Sequence, residues 1–152
     1  MAFKFRAQAA LDLRTRQLQH AQRELARAEG DRDVARRRVA DAEQALIDAR
    51  AAAAEAQPTI TDCSALQWYR FWIVRLEHER TAHLATLAAR DEAVARAAAT
   101  CLQAQQKKES LHRFREKART GYEAAEAAAE RKLIDELATR RYAATRQSAN
   151  QS

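Results

Sequence analysis

The sequence predicts an all-α protein, a long antiparallel two-helix coiled coil whose second helix is longer than the first. Three observations carry that expectation. Among 152 residues there are two glycines and one proline, too few to punctuate a sheet or a multi-turn globule. Ala, Arg, Glu and Leu dominate, the composition of long helices. Apolar residues also recur at heptad spacing over most of the chain before its one strong break. Hydrophobic content is 47%, but much of it is alanine, which buries little area per residue, so a thin core is expected.

Helix one is expected over residues 4–56. Stepping by seven from Leu11 meets Leu18, Leu25, Arg32, Val39, Leu46 and Ala53, and the row three residues later is almost purely alanine, from Ala21 to Ala56 after Arg14. One large row beside one small row lets a partner helix approach closely. Arg32, next to Gly30, interrupts the large row; it either fixes the register or lets its head escape to water, and the second reading is preferred. The break is QPTITD, residues 57–62, where Pro58 sits beside three β-branched residues. Thr61 or Asp62 offers a cap for the next helix, and Ser64 with Gln67 a capping box one turn on.

Helix two is expected over residues 63–146, with Tyr69, Ile73, Leu76, Leu87, Val94, Ala97, Cys101, Ala104, Leu111 and Ala118 facing inward. The short connection makes the helices antiparallel neighbours and sets Leu46 near Ile73, Leu25 near Val94 and Leu11 near Lys108. Helix two then outruns helix one by about 30 residues, some 45 Å. The overhang keeps an apolar stripe, Tyr122, Ala125, Ala129, Leu133, Ile134, Leu137, Ala138 and Tyr142, with no partner in reach. Thr120 to Glu123 form a capping-box pattern around Gly121, read as a soft point rather than a turn, and RQSANQS at the end is expected to fray.

Much chemistry is excluded. Gly30 and Gly121 cannot build a phosphate loop. His78 and His83, five residues apart on a helix, point about 140° apart and do not converge on a metal. Asp135 and Glu136 diverge on a helix with no pocket around them, so catalysis is not expected, nor any cofactor. Cys63 and Cys101, if on one helix, lie about 57 Å apart, too far for a disulfide. No window approaches a membrane span and MAFKFRAQAALDL lacks a signal's apolar run, so a soluble cytosolic protein is expected. The net charge of +6 raises nucleic acid as a partner, and Lys107 to Arg119 holds six Lys or Arg against two Glu. Most cations elsewhere alternate with acids as on a solvated coiled-coil flank, so no nucleic acid is expected and an acidic partner fits better.

The pentad WYRFW gathers Trp68, Tyr69, Phe71 and Trp72 within five residues. At 100° per residue these rings fan around most of the helix, so one packing partner cannot cover them all. Some are left for another protein, because bulky aromatics are frequent interface anchors.

Three stretches resemble the FliJ family, the cytosolic stalk proteins of flagellar type III export. FKFRAQAALDLRTRQ is similar to the family's opening. ERKLIDELATRR is similar to its tail, with Glu130, Lys132, Asp135, Glu136, Ala138 and Arg140 at the family's spacing. Trp72, Leu76, Glu79 and His83 match the spacing of the family's contact with the membrane export gate, Glu79 standing where a small apolar residue is usual. The resemblance covers essentially the whole chain and implies a non-catalytic stalk with two partners. The export gate protein at the membrane would contact Trp68, Phe71, Trp72, Leu76, Glu79 and His83. The hexameric export ATPase would receive the end carrying both termini, through Phe3, Phe5, Leu133, Ile134, Asp135, Glu136, Leu137, Arg140 and Arg141. The family resembles the central shaft of rotary ATPases, so the coiled coil is read as a monomeric strut between the two partners. The implied location is cytoplasmic, peripheral to the inner membrane through the export apparatus. Export chaperones are also implied, with no residue signature identifiable here. An injectisome stalk of virulence secretion stays open as an alternative, as does a generic scaffold in which residues 122–142 pair with a second copy.

Overall fold

The structure, a computed structural model, describes residues 2–151. It is all-α: two long helices pack against each other, the second longer than the first. Helix α1 runs Gln8–Ala56, a single 3-10 turn covers Gln57–Thr59, and helix α2 runs Cys63–Asn150. Contacts group the chain into two units, Arg16–Gln105, the turn unit, and Met1–Thr15 with Gln106–Ser152, the terminal unit.

In the turn unit the helices are antiparallel, as three ion pairs between them show. Arg50 meets Glu77 at 2.8 Å, Glu43 meets Arg80 at 3.4 Å and Asp31 meets Arg90 at 3.8 Å, so one number falls as the other rises. Exposed pairs of this kind stabilise by about 0–1 kcal/mol each, so they mark the register more than they hold it. Burial holds it. Leu18, Ala21, Ala35, Val39, Leu46, Ala49 and Leu76 are the buried residues of this unit, and Ile73 packs with Ala45 against the cluster of Leu46, Ala49 and Leu76. The large and small rows of α1 therefore both face inward, and Leu46 lies beside Ile73 as its spacing predicts. Among the described residues no side chain is completely buried, because a seam between two helices is open to water along both flanks.

Every residue of the expected inward set on α2 is buried or half-buried, and Arg80, His83, Lys108 and Arg115 are half-buried with them. These polar residues fall at the same alternating spacings of three and four as their apolar neighbours, so the heptad of α2 is more regular than its hydrophobic residues alone suggest. Arg32 behaves in the same way on α1. Its side chain keeps 24% of its exposure, its Nε is covered and unbonded, and its nearest acid is Asp33 at 3.6 Å. The stem thus lies in the seam, and only part of the head reaches water.

The turn follows its sequence. Pro58 stands in the 3-10 turn, which makes no demand on the amide it lacks, and the Thr59 hydroxyl donates to the Ala56 carbonyl at 2.9 Å. Asp62 caps α2: its Oδ1 accepts from the Ser64 amide at 3.1 Å, and the Ser64 hydroxyl donates to its Oδ2. Ser64 is thus a partner of the cap rather than the cap of its own box. The same two bonds, the hydroxyl's first, hold the Asp62 carboxyl below its ordinary pKa.

In the terminal unit, α1 begins at Gln8 instead of near residue 4. Phe3 packs on Tyr122 with ring centroids 5.6 Å apart, and Phe5 on Phe114 at 5.7 Å. Residues two apart share a side only in a non-helical, extended chain; on a helix the two rings would point about 160° apart. Packing both rings therefore excludes helix at residues 2–5, and the Gln8 amide donates back to the Phe5 carbonyl at 3.2 Å to start the helix there. Leu11 is the buried residue of this unit. Helix α2 passes through Gly121 without interruption, and the Thr120 hydroxyl bonds back to the Glu116 carbonyl at 2.9 Å instead of capping a new start. The helix also takes in most of RQSANQS, ending at Asn150.

Candidate functional sites on the two units

The first candidate site lies in the turn unit, just after the capped start of α2. Trp68 stacks on Trp72 one helical turn on, ring centroids 5.9 Å apart and planes 3° from parallel. The guanidinium of Arg75 lies 5.9 Å from the Trp72 ring, and Arg75 also pairs with Glu79 at 3.4 Å. Spacings of four, three and four keep all four side chains on one face of α2. Tyr69 meets the edge of Trp68 at 5.1 Å and is half-buried, so it joins the Trp pair to the seam. The face is therefore pre-ordered, with an exposed indole stack backed by the core and a cation fixed over its end.

Phe71 lies off this face, about 60° from Trp68 and 100° from Trp72 around the helix. It is 77% exposed and, with Gln67, Arg70 and Val74, borders a shallow depression of about 410 Å³. The six residues expected to meet an export gate are thus not one surface. Trp68, Trp72 and Glu79 share a face, Phe71 belongs to the next, and His83 is half-buried at a seam position. Leu76 is 7% exposed and closes on Leu46 and Ala49, so its role is packing and it is not open to a partner. Arg75 is a member the sequence reading omitted. Its signal was the spacing: a cation three residues after an aromatic and four before a carboxylate.

The second candidate site is the α2 tail in the terminal unit. From Glu123 to Gln151 every residue is exposed, a helical stretch of about 40 Å with no covering element. The exposed stripe starts at Ala125, three residues later than expected, because Tyr122 is half-buried beneath Phe3 and donates to Glu126 at 2.8 Å. That hydrogen bond is also the main reason the Tyr122 phenol is pushed above its ordinary pKa. Phe3 and Phe5, expected as contacts for the ATPase, are instead half-buried against α2. Leu133, Ile134 and Leu137 are half or more exposed and share one face, with Asp135, Glu136, Arg140 and Arg141 exposed around them. Tyr142 is exposed as well but lies about 140° around the helix from Leu137, off that face.

Among the described residues no three His, Cys, Asp or Glu side chains converge to hold a metal, and no helix is long and apolar enough to cross a membrane. Cys63 and Cys101 are free thiols on α2, exposed and half-buried in turn. What both sites present is apolar surface flanked by charge, the make-up of protein docking faces.

Neither a curated protein nor a solved structure matches the chain significantly. The family model described as flagellar FliJ protein does match, over residues 3–147, which takes in α1, the turn, all but the last three residues of α2 and both candidate sites. On that coverage the chain belongs to the FliJ family, a non-catalytic component of flagellar type III protein export.

Proposed function

We propose that the protein is a stalk of the export apparatus that binds two partners: the hexameric export ATPase through the α2 tail, and the membrane export gate through the Trp68–Trp72 face. One observation carries the reading. Each unit leaves large apolar side chains in water, Trp68, Phe71 and Trp72 in one and Leu133, Ile134 and Leu137 in the other, although the chain has a seam that buries others of the same kind. Uncovered aromatic and aliphatic clusters of this sort, ringed by Arg and Glu, are what partner-binding surfaces look like. Membership of the FliJ family supplies the kind of machine to which the partners belong.

A self-pairing scaffold fits the tail less well. A two-stranded coiled coil needs three or four heptads of large apolar residues. The tail has Leu133, Ile134 and Leu137 preceded by Ala125 and Ala129, and Glu130 and Arg141 lie on the same face. That patch suits a small pocket on a partner better than a long zipper.

The test is calorimetry with the purified cognate ATPase and the cytoplasmic domain of the export gate. Both should bind. Trp72→Ala should weaken gate binding alone by about tenfold or more, and Ile134→Ala with Leu137→Ala should weaken ATPase binding alone to a similar extent. If neither partner binds the full chain, or if these substitutions leave both affinities intact, the proposal fails. A tight homodimer in sedimentation, lost in the Ile134/Leu137 variant, would favour the scaffold.

A further inference from the structure

The excess positive charge of the chain is confined to one place. Residues 16–105 carry thirteen Lys or Arg and thirteen Asp or Glu, and residues 123–152 carry five of each. The whole net charge of +6 therefore falls on residues 2–15 and 106–122, which hold nine cations and three acids. The structure brings these two stretches together, Phe3 on Tyr122 and Phe5 on Phe114, as a collar within the terminal unit.

Some collar cations are neutralised locally: Arg113 pairs with Glu109 at 2.6 Å and Arg119 with Glu123 at 2.9 Å. Lys4, Arg6, Lys107, Lys108, Arg115 and Lys117 make no ion pair among the described residues. Lys108 and Arg115 are the telling pair, since they occupy seam positions one heptad apart where an apolar residue would stabilise the packing. The Nε of Arg115 is covered yet has no hydrogen-bond acceptor, and its side chain borders an open cleft of about 350 Å³ with Phe3, Lys4, Phe5 and Gln8. A guanidinium and an ammonium lining one open cleft with two aromatic rings suit a carboxylate set among apolar groups.

We infer that the collar binds a carboxylate-bearing protein surface, the unpaired Lys4, Lys108 and Arg115 receiving acidic side chains of the partner. This rests on the reading that the ATPase holds the terminal unit, and it adds a second, electrostatic contact to the apolar one at Leu133 to Leu137. A protein fits better than a nucleic acid because the collar is followed by Glu123, Glu126 and Glu130 with no cation among them. A uniform polyanion lying along α2 would be repelled there, whereas a protein surface can place its carboxylates at the collar alone.

The experiment measures association of the full chain with the purified ATPase between 50 and 300 mM salt, comparing wild type, Arg115→Gln, the triple variant Lys4→Gln, Lys108→Gln, Arg115→Gln, and Leu137→Ala. Wild-type affinity should fall about tenfold or more across the series, and the triple variant should lose at least as much at low salt while flattening the salt dependence. Arg115→Gln alone should cost several-fold. Leu137→Ala should weaken binding without flattening it, which separates the two contacts. ATPase binding that is insensitive to salt and to the collar substitutions overturns this inference and leaves the stalk proposal standing. No ATPase binding by wild type overturns both. A 20-nucleotide single strand that binds the wild-type collar more tightly than the ATPase does, with a steep salt slope, overturns it in favour of nucleic acid.

Discussion

Truncating two leucines to alanine, one in each unit, should give opposite phenotypes. Leu46 is 3% exposed and closes on Ala49 and Leu76; Leu137 is 50% exposed. Removing a buried leucine side chain costs about 2–5 kcal/mol in a closed core, through lost transfer energy and the cavity left behind. The Leu46 site belongs to a seam flanked by water, where Leu76 can settle and solvent can enter, so the low end applies, about 2–3 kcal/mol. Leu137 already has half its surface in water, and its loss should change stability by no more than about 0.5 kcal/mol. Urea unfolding followed by helical circular dichroism reads both numbers, and ATPase binding reads the converse: Leu137→Ala weakened, Leu46→Ala retained below its unfolding transition. A cost above about 1 kcal/mol for Leu137→Ala would mean that the tail is covered by something in the free chain. A silent Leu46→Ala would mean that the seam is not closed at Leu46, Ala49 and Leu76. Either result breaks the division between packing and binding surfaces on which the functional proposal depends.

Other outcomes follow from the same geometry. Gly30→Ala and Gly121→Ala should each stabilise by about 1 kcal/mol, since both sit in unbroken helix without positive φ and an added Cβ meets nothing within 4 Å; thermal melts check this, and a lower melting temperature for either would refute it. The Asp62 cap should fail in acid. Its carboxyl titrates below the ordinary 3.8, so its contribution is complete at pH values above that figure and disappears as the pH falls through the lowered native value. Protection of the Ser64 amide, its exchange relative to the intrinsic rate at each pH, should fall over that range in wild type and already be low at neutral pH in Asp62→Ala. Trp68→Ala should remove the near-ultraviolet signal of the stacked indoles while leaving helix content unchanged, because the Trp68 ring is mostly outside the seam.

Half of the seam was legible from spacing alone and half was not, for a reason that lies in the energetics of a two-helix interface. On α1 the large and alanine rows repeat with only Arg14 and Arg32 out of place, and the buried residues Leu11, Leu18, Ala21, Ala35, Val39, Leu46 and Ala49 lie on those rows. On α2 the apolar members are legible and the positions between them are not, because Arg80, His83, Lys108 and Arg115 occupy seam positions. In a globular core such residues would carry a heavy desolvation cost and a hydrophobic pattern would not contain them. Beside an open flank, an Arg or Lys lays its methylenes on the seam and keeps its charge near water, so the position is satisfied without reading as apolar. Hydrophobic periodicity therefore under-reports the register of any seam only two helices thick.

The sites were legible as composition and not as geometry. The aromatic pentad announced that rings would be left over, but which ones depends on where the seam runs, and that is fixed by Leu46, Ala49 and Leu76 closing on one another. Once Leu76 is spent on packing, the angles of Trp68, Trp72 and Phe71 follow and split the pentad into two faces. At the termini the helix was expected from residue 4, but Phe3 and Phe5 pair with Tyr122 and Phe114, which stand more than 100 residues away, and the helix starts only at Gln8. No local pattern reports a pairing at that separation. The same pairing is what gathers the cations of residues 2–15 beside those of 106–122, and so an electrostatic feature that is diffuse along the chain becomes concentrated only through two aromatic contacts. Phe3→Ala with Phe5→Ala should accordingly loosen the collar and reduce its pull on an acidic surface, although neither ring carries charge.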